Sequence, residues 1–162
     1  MMLRDDVVEV DILRKLQDES YWDTVKQYNW WDGWWRADAS NPVEELIQSI
    51  WHFRLNRDDV AGFEWWSNGY RVGDGLDWHQ DKDEEMYTQG KIVTPIMGCV
   101  YWPVVQDLQG GLFETERVSI KPKENSVVIF NSGEMHRVTP ILGGKRRSIA
   151  INIWKEKPKT FL

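Results

Sequence analysis

Two short stretches of this sequence contain residue types that often bind metal ions. His79 and Asp81 are separated by a single residue, so on an extended chain both side chains point to the same side. A His-x-Asp pair is common by chance, but the later stretch adds His136, one of only three histidines in the chain. Because imidazole nitrogens and carboxylate oxygens are frequent metal ligands, the three residues together predict a metal site.

Two imidazoles and one carboxylate form a facial set of ligands for a divalent metal. In non-haem Fe(II) sites this set leaves adjacent coordination positions open for other ligands. The same side chains could bind zinc, and the Irving–Williams order favours zinc on affinity alone. The ligand types by themselves therefore leave both metals open.

Arg146 and Ser148 follow His136 by ten and twelve residues and begin a predicted strand. Side chains two residues apart on a strand share a face, so this guanidinium and this hydroxyl point the same way. The pair is suited to bind the distal carboxylate of a small dicarboxylic acid, whose other end could chelate iron. Arg147 faces the opposite side, and we expect it and Lys145 to be solvated. The pair favours an iron site over a zinc hydrolase, for which no general base stands beside the three ligands.

The composition indicates an ordinary folded domain and excludes several classes of function. Its 162 residues predict a single domain that needs no disulfide. A net charge of −6 argues against a nucleic-acid partner, because nucleic-acid surfaces are usually basic. Cys99 is the only cysteine, which indicates a reducing, cytoplasmic setting. No apolar run is long enough to cross a bilayer and no signal peptide is recognisable, so we expect no membrane partner.

The first part of the chain contains the clearest helix signal. Asn41-Pro42 is typical of a helix start, and apolar residues then recur at helical spacing, which predicts a helix over residues 42–54. His52 lies off the apolar stripe of that helix, so we expect it to be half exposed. Residues 5–20 mix two periods, which predicts a strand that leads into a helix.

From residue 61 onward the sequence changes to short strands and turns. Pro140 to Gly144 is a turn-rich stretch that we expect to reverse the chain before the last strand. Many short strands after a helical section predict a barrel or jelly roll with helices packed behind it.

Tryptophan is unusually frequent, with eleven residues of which eight precede residue 67. Four of them lie close together, at Trp30, Trp31, Trp34 and Trp35. Tryptophan is used in cores, interfaces and sugar-binding platforms, and general burial preferences favour the core for this cluster. The alternative is a non-catalytic jelly-roll binding module that stacks these rings on a glycan or a protein partner.

An ordered set of short motifs extends over roughly residues 68–154. The set resembles that of iron(II)- and 2-oxoglutarate-dependent oxygenases, in their prolyl-4-hydroxylase-like branch. The matching pieces are Tyr70-x-x-Gly73, His79-x-Asp81, Val100-Tyr101, Gly110-Gly111, Ile120-Lys121-Pro122, Val128-Ile129-Phe130, His136-Arg137-Val138-Thr139-Pro140 and Arg146-x-Ser148.

The resemblance implies a role for each matching site residue. It implies that the Fe(II) ligands are His79, Asp81 and His136. It further implies that Arg146 binds the C5 carboxylate of 2-oxoglutarate. The residues that assist it would be Ser148, Tyr101 and Tyr70.

The chain also departs from the pattern of this family. Trp102-Pro103 stands where Leu-Asn commonly follows the strand tyrosine, and Glu124-Asn125 stands where a glycine is usual. These positions leave the ligand set alone but weaken any claim that the substrate is a prolyl residue. A DNA-repair demethylase would carry an arginine at position 152, which here is Asn152.

We therefore expect a mainly β fold with N-terminal helices and a double-stranded β-helix (jelly-roll) core. Residues 1–162 would form one dioxygenase domain, with helical support over roughly 1–60 and the core over roughly 61–156. With Fe(II), 2-oxoglutarate and dioxygen, it would hydroxylate an unidentified substrate and release succinate and CO2. The candidate substrates are a prolyl or other protein side chain and a small molecule.

Overall fold

The computed structural model describes all 162 residues of the chain. Its α-helices are α1 (Val10–Gln17), α2 (Glu19–Trp22), α3 (Pro42–Trp51) and α4 (Glu84–Thr88). Its strands are β1 (Met2–Arg4), β2 (Asn29–Trp31), β3 (Gly62–Tyr70), β4 (Leu76–His79), β5 (Met97–Gly110), β6 (Phe113–Thr115), β7 (Ser119–Ile120), β8 (Ser126–Phe130), β9 (His136–Val138) and β10 (Ile141–Trp154). Short 3-10 helices lie at Arg57–Asp59 and Lys159–Phe161. No helix has the length and apolar character needed to span a bilayer.

The strands form two antiparallel sheets. The larger has six strands in the order β1-β8-β5-β10-β3-β2, and the smaller has four in the order β4-β9-β6-β7. Buried side chains of both sheets meet in a shared apolar cluster that includes Trp102, Phe113 and Phe130. This arrangement confirms the predicted mainly β jelly-roll fold.

The larger sheet separates this inner cluster from a second core on its helical side. Along β10 the side chains of Ile149, Ile151 and Ile153 point into the second core, together with apolar residues of α1 and α3. The residues between them point towards the smaller sheet. This alternation follows from the two-residue period of a strand. The inward face of β10 carries the buried polar residues Arg146, Ser148 and Asn152.

Helix α3 begins as the sequence predicts. The Asn41 side chain accepts a hydrogen bond from the backbone N–H of Glu44 at 2.9 Å, and Pro42 occupies the first turn. The helix ends at Trp51, three residues before the predicted boundary, and His52 lies exposed at its C-terminal cap.

Two local predictions were wrong. No strand precedes α1 within residues 5–20; the strand at the N-terminus is β1, and β1 and β2 add to the two edges of the larger sheet. Pro140 to Gly144 does not reverse the chain, because β10 begins at Ile141 and continues through both glycines. The glycines lie at register shifts against β5, where Gly144 adopts a φ of +76° that glycine reaches without steric cost.

Three of the clustered tryptophans pack around Phe63. The ring centroid of Phe63 lies 6.0 Å from that of Trp31 and 5.8 Å from those of Trp34 and Trp35. Phe63 itself is fully buried. The cluster is therefore core packing, as predicted. Trp30 instead packs against Phe161, with ring centroids 5.8 Å apart.

Truncation of Phe63 is expected to be strongly destabilising. Phe63→Ala leaves a cavity among the three indole rings and should lower the free energy of unfolding by about 3–5 kcal/mol. Denaturant titration followed by tryptophan fluorescence measures this change. The matched control is Phe53→Ala, because Phe53 is 89% exposed and its loss should change stability by less than about 0.5 kcal/mol. Equal small effects would contradict a core role for the cluster.

Candidate active site

The three predicted metal ligands come together between the ends of two paired strands. His79 ends β4 and His136 begins β9, and the two residues lie directly opposite each other in the antiparallel pair. Nε2 of each histidine lies 3.7 Å from Oδ1 of Asp81. The three possible ligand atoms all lie within 4.8 Å of one another, which is the spacing needed to hold one metal ion.

Both imidazoles are oriented by hydrogen bonds to the backbone. Nδ1 of His79 lies 2.8 Å from the carbonyl oxygen of Asp77, and Nδ1 of His136 lies 2.7 Å from that of Glu134. A carbonyl only accepts, so each Nδ1 carries the proton and donates it. Each Nε2 is then left with a lone pair directed at the space beside Asp81, as a metal ligand requires.

Burial determines the charge state of the site. His136 is 5% exposed, and desolvation lowers the pKa of its imidazole, which keeps the ring neutral. Burial also raises the pKa of Asp81, an effect that the two neighbouring imidazoles oppose. A divalent cation between these three side chains would offset the cost of burying the Asp81 carboxylate.

Asp81 is held by partners from two other elements. Its backbone N–H donates to the carbonyl oxygen of Ser132 at 3.0 Å, and its Oδ2 accepts from Nδ2 of Asn152 at 3.2 Å. Nδ2 of Asn152 also lies 3.2 Å from Oε1 of Glu64, which accepts from Nε1 of Trp154 at the same distance. Sequence reasoning missed Glu64 and Asn152 as site residues. The available signals were a glutamate among the apolar and aromatic residues of the first half of β3 and the even spacing of Asn152 from Arg146.

Arg146 is buried beside the metal ligands without an anionic partner. Its side chain is 2% exposed, and neither Nε nor Nη1 has a hydrogen-bond partner. The guanidinium carbon lies 5.0 Å from the ring centroid of Tyr70, its cross-strand neighbour. Burial lowers the pKa of Arg146 to about 10, so the group is still charged at neutral pH. A buried cation with free donors is costly unless a ligand anion pairs with it.

The three predicted metal ligands and Arg146 line one narrow inner pocket. Its lining includes His79, Asp81, His136, Tyr70, Arg146 and Ser148. It adjoins a wider outer cavity of about 620 Å³, whose rim includes Tyr28, Lys82, Glu84 and Phe161. Arg146, Ser148 and Tyr70 thus share the inner pocket with the three predicted metal ligands.

Arg147 lies on the opposite face, as the sequence predicts, but it is not solvated. Its side chain is 11% exposed, because Nη2 lies 2.6 Å from Oε2 of Glu19 and the guanidinium stacks on Trp22 at 5.0 Å. Arg147 therefore fastens α2 to the larger sheet.

The expected role of Tyr101 beside the cosubstrate is wrong. Tyr101 pairs with Ile149 across the sheet and is fully buried in the core on the helical side. Its hydroxyl lies 2.7 Å from Oδ1 of Asn125, away from the pocket. Its neighbour Val100 lines the inner pocket instead. A shift of one residue along a strand exchanges the two faces, and the short motif could not fix that register.

Glu64→Gln is expected to remove a pH dependence of stability from the metal-free protein. Burial is the main cause that raises the pKa of Glu64 to about 7 from an ordinary 4.5. The resulting contribution to stability is fully present below about pH 4.5 and is lost as the pH rises through about 7. Relative to the wild type, the variant should therefore gain roughly 2–3 kcal/mol between about pH 5 and about pH 8. Denaturant titrations of both proteins in the presence of a chelator measure this gain. A stability difference that is constant with pH would contradict the raised pKa.

Comparisons with known proteins agree with this fold and this set of side chains. Residues 65–154 match the family model described as the 2OG-Fe(II) oxygenase superfamily. A PKHD-type hydroxylase of Shewanella baltica is 29% identical over 83 residues, which are 49% of this chain and 37% of that protein.

Solved structures give the same fold. A prolyl-4-hydroxylase of Pseudomonas putida superposes with a TM-score of 0.68 at 19% identity, over 96% of this chain and 88% of that one. The viral collagen prolyl hydroxylase of Paramecium bursaria Chlorella virus-1, in its 2-oxoglutarate complex, gives 0.68 at 13% identity over 96% of both chains. The family model covers more than half of the sequence, and the chain therefore belongs to the 2OG-Fe(II) oxygenase superfamily.

Proposed function

We propose that this chain is a hydroxylase that uses Fe(II), 2-oxoglutarate and dioxygen, with His79, Asp81 and His136 as the iron ligands. The observation that carries the proposal is the buried guanidinium of Arg146, which has no anionic partner and shares one pocket with these ligands. A dicarboxylic acid bound between the metal and Arg146 would give this cation its counterion.

The two alternative functions account for less of the structure. A zinc hydrolase would use the three ligands but would not account for the buried, unpaired charge of Arg146. A glycan-binding module would need an exposed aromatic platform, whereas Trp31, Trp34 and Trp35 pack around the buried Phe63. The buried guanidinium of Arg146 and the three proposed metal ligands together favour the oxygenase.

The residues present fit both the metal and the cosubstrate. Two neutral imidazoles and one carboxylate would leave an Fe(II) site with a net charge of +1, which suits a dianionic acid. Arg146 and Ser148 would bind the C5 carboxylate, and the ring of Tyr70 would hold the guanidinium in place. When bound, Fe(II) with 2-oxoglutarate and dioxygen supplies oxidative decarboxylation, which yields succinate and CO2 and inserts one oxygen atom into a substrate C–H bond.

Apolar side chains keep the inner pocket dry. The ring of His136 lies 4.9 Å from that of Phe130 and 5.9 Å from that of Phe113, measured between centroids. These rings exclude water from one side of the ligand set, which strengthens the electrostatic interactions inside it.

The outer cavity is the place for the substrate. It opens next to His79 and Asp81, and it combines aromatic rings of Tyr28, Trp66 and Phe161 with polar groups. Its volume of about 620 Å³ admits a side chain of a peptide or a small molecule. We propose that the product is a hydroxylated prolyl or other side chain, or a hydroxylated small molecule.

We also propose that residues 1–162 form one domain, with residues 1–60 as its support. Apolar residues of α1 and α3 share one buried cluster with strands of the jelly-roll core. The support is not purely helical, because β1 and β2 extend the larger sheet at both edges.

Removal of a proposed ligand should abolish turnover. His79→Ala or Asp81→Ala would leave only two ligands, and succinate formation from 2-oxoglutarate should fall to background. The measurement is succinate released by protein incubated with Fe(II) and 2-oxoglutarate, with and without candidate peptides. His52→Ala is the matched control, since His52 lies exposed at the end of α3 and should keep full turnover. Retained turnover in either ligand variant would refute the ligand assignment.

Arg146→Met should separate cosubstrate binding from metal binding. Loss of charged hydrogen bonds to the carboxylate should weaken 2-oxoglutarate binding by about 10- to 100-fold while the metal still binds. The unfolding free energy of the apoprotein should not fall, because the variant removes a buried unpaired charge. Isothermal titration with 2-oxoglutarate and metal measures both affinities. Arg147→Met is the control, and an equal loss of 2-oxoglutarate binding there would mean that Arg146 is not the anchor.

A further inference from the structure

The amide of Asn152 links two partly buried carboxylates of the pocket, those of Asp81 and Glu64. Its Nδ2 donates to Oδ2 of Asp81 and to Oε1 of Glu64, at 3.2 Å in each case. An NH2 group has two hydrogens, so it can satisfy both acceptors at once. Asn152 is buried and lies on the inward face of β10, the face that also carries Arg146 and Ser148.

This hydrogen bond determines which oxygen of Asp81 faces the imidazoles. Oδ1 lies 3.7 Å from Nε2 of both His79 and His136, whereas Oδ2 is engaged by Asn152. A carboxylate free to rotate could present either oxygen or both to a metal. Because Oδ2 is occupied, Asp81 is held with a single oxygen directed at the metal position.

Asn152 is itself fixed by its neighbours on both adjacent strands. Glu64 lies directly across from it on β3 and is held by Nε1 of Trp154 at 3.2 Å. Gly98 lies across from it on β5, and a Cβ there would collide with Oδ1 of Asn152. Glycine at position 98 therefore leaves the room that the amide oxygen occupies, while the hydrogen bond to Glu64 orients the amide nitrogen.

We propose that Asn152, anchored by Glu64, is a positioning residue that orients Asp81 for metal binding through one oxygen. The inference rests on the proposed function, because it assumes that Asp81 is a metal ligand. Groups in this position behind a ligand commonly change metal affinity by about 10- to 100-fold when they are removed.

The test is Mn(II) binding to the purified full chain under apo conditions, measured by the electron paramagnetic resonance signal of free Mn(II). Asn152→Leu keeps the size of the side chain but has no donor, and it should weaken Mn(II) binding by about 10- to 100-fold. Glu64→Leu removes the anchor and should also weaken binding. Glu64→Gln keeps the acceptor oxygen and should restore an affinity within about threefold of the wild type.

Two controls separate positioning from general loss of structure and from failure of the metal site. Ile151→Val perturbs the same strand on its opposite face and should leave Mn(II) affinity unchanged. Asn152→Leu that binds as tightly as the wild type, or Ile151→Val that is weakened equally, would overturn the positioning role alone. A wild type that binds no better than Asp81→Ala would overturn both the ligand assignment and this inference.

Discussion

Strand β10 pairs with β5 along one edge and with β3 along the other, and its side chains alternate between two unlike environments. Ile149, Ile151 and Ile153 face the helical core, and their burial stabilises the association of the N-terminal elements with the sheet. Arg146, Ser148 and Asn152 lie on the opposite face of the strand, towards the second sheet, and carry polar groups of the pocket. The apolar half of the strand thus fixes the position of its polar half. The geometry of the site depends on this one register.

The pocket concentrates groups whose burial disfavours the folded apoprotein. Arg146 has no anion partner, Glu64 has a pKa raised to about 7, and burial raises the pKa of Asp81. The costs at Asp81 and Arg146 would be offset by ions of opposite sign, a metal cation for the Asp81 carboxylate and a ligand carboxylate for the Arg146 guanidinium. The free energy that these buried charges cost the folded apoprotein is therefore regained when ligands bind. Ligand-bound protein should be more stable than the apoprotein.

The sequence predicted the fold class, and it singled out His79, Asp81, His136 and Arg146, which the structure brings into one pocket, because each left a local signal. His79 and Asp81 share a face through two-residue spacing, and Arg146 shares a face with Ser148 for the same reason. The placement of Tyr101 failed because it depended on a register that bulges in the sheet alter. Glu64 and Asn152 were missed for another reason: their signals were weak, and they meet Asp81 only across strands that are distant in sequence. The Gly143-Gly144 pair was misassigned as a turn, because glycine signals a bulge as readily as a reversal.

The two histidines and the aspartate are oriented in different ways. Each imidazole donates its Nδ1 proton to a carbonyl only two residues earlier in the chain, so its orientation belongs to a local segment. The orientation of Asp81 depends on an amide from the far end of the sequence, on the central strand of the larger sheet. If this sheet shifts slightly, both proposed nitrogen ligands would therefore keep their orientation while the proposed oxygen ligand, Asp81, would turn away. In a family whose sequences diverge widely around a constant fold, the two histidines can therefore keep their orientation when the packing of the core changes. The orientation of Asp81 changes with the core.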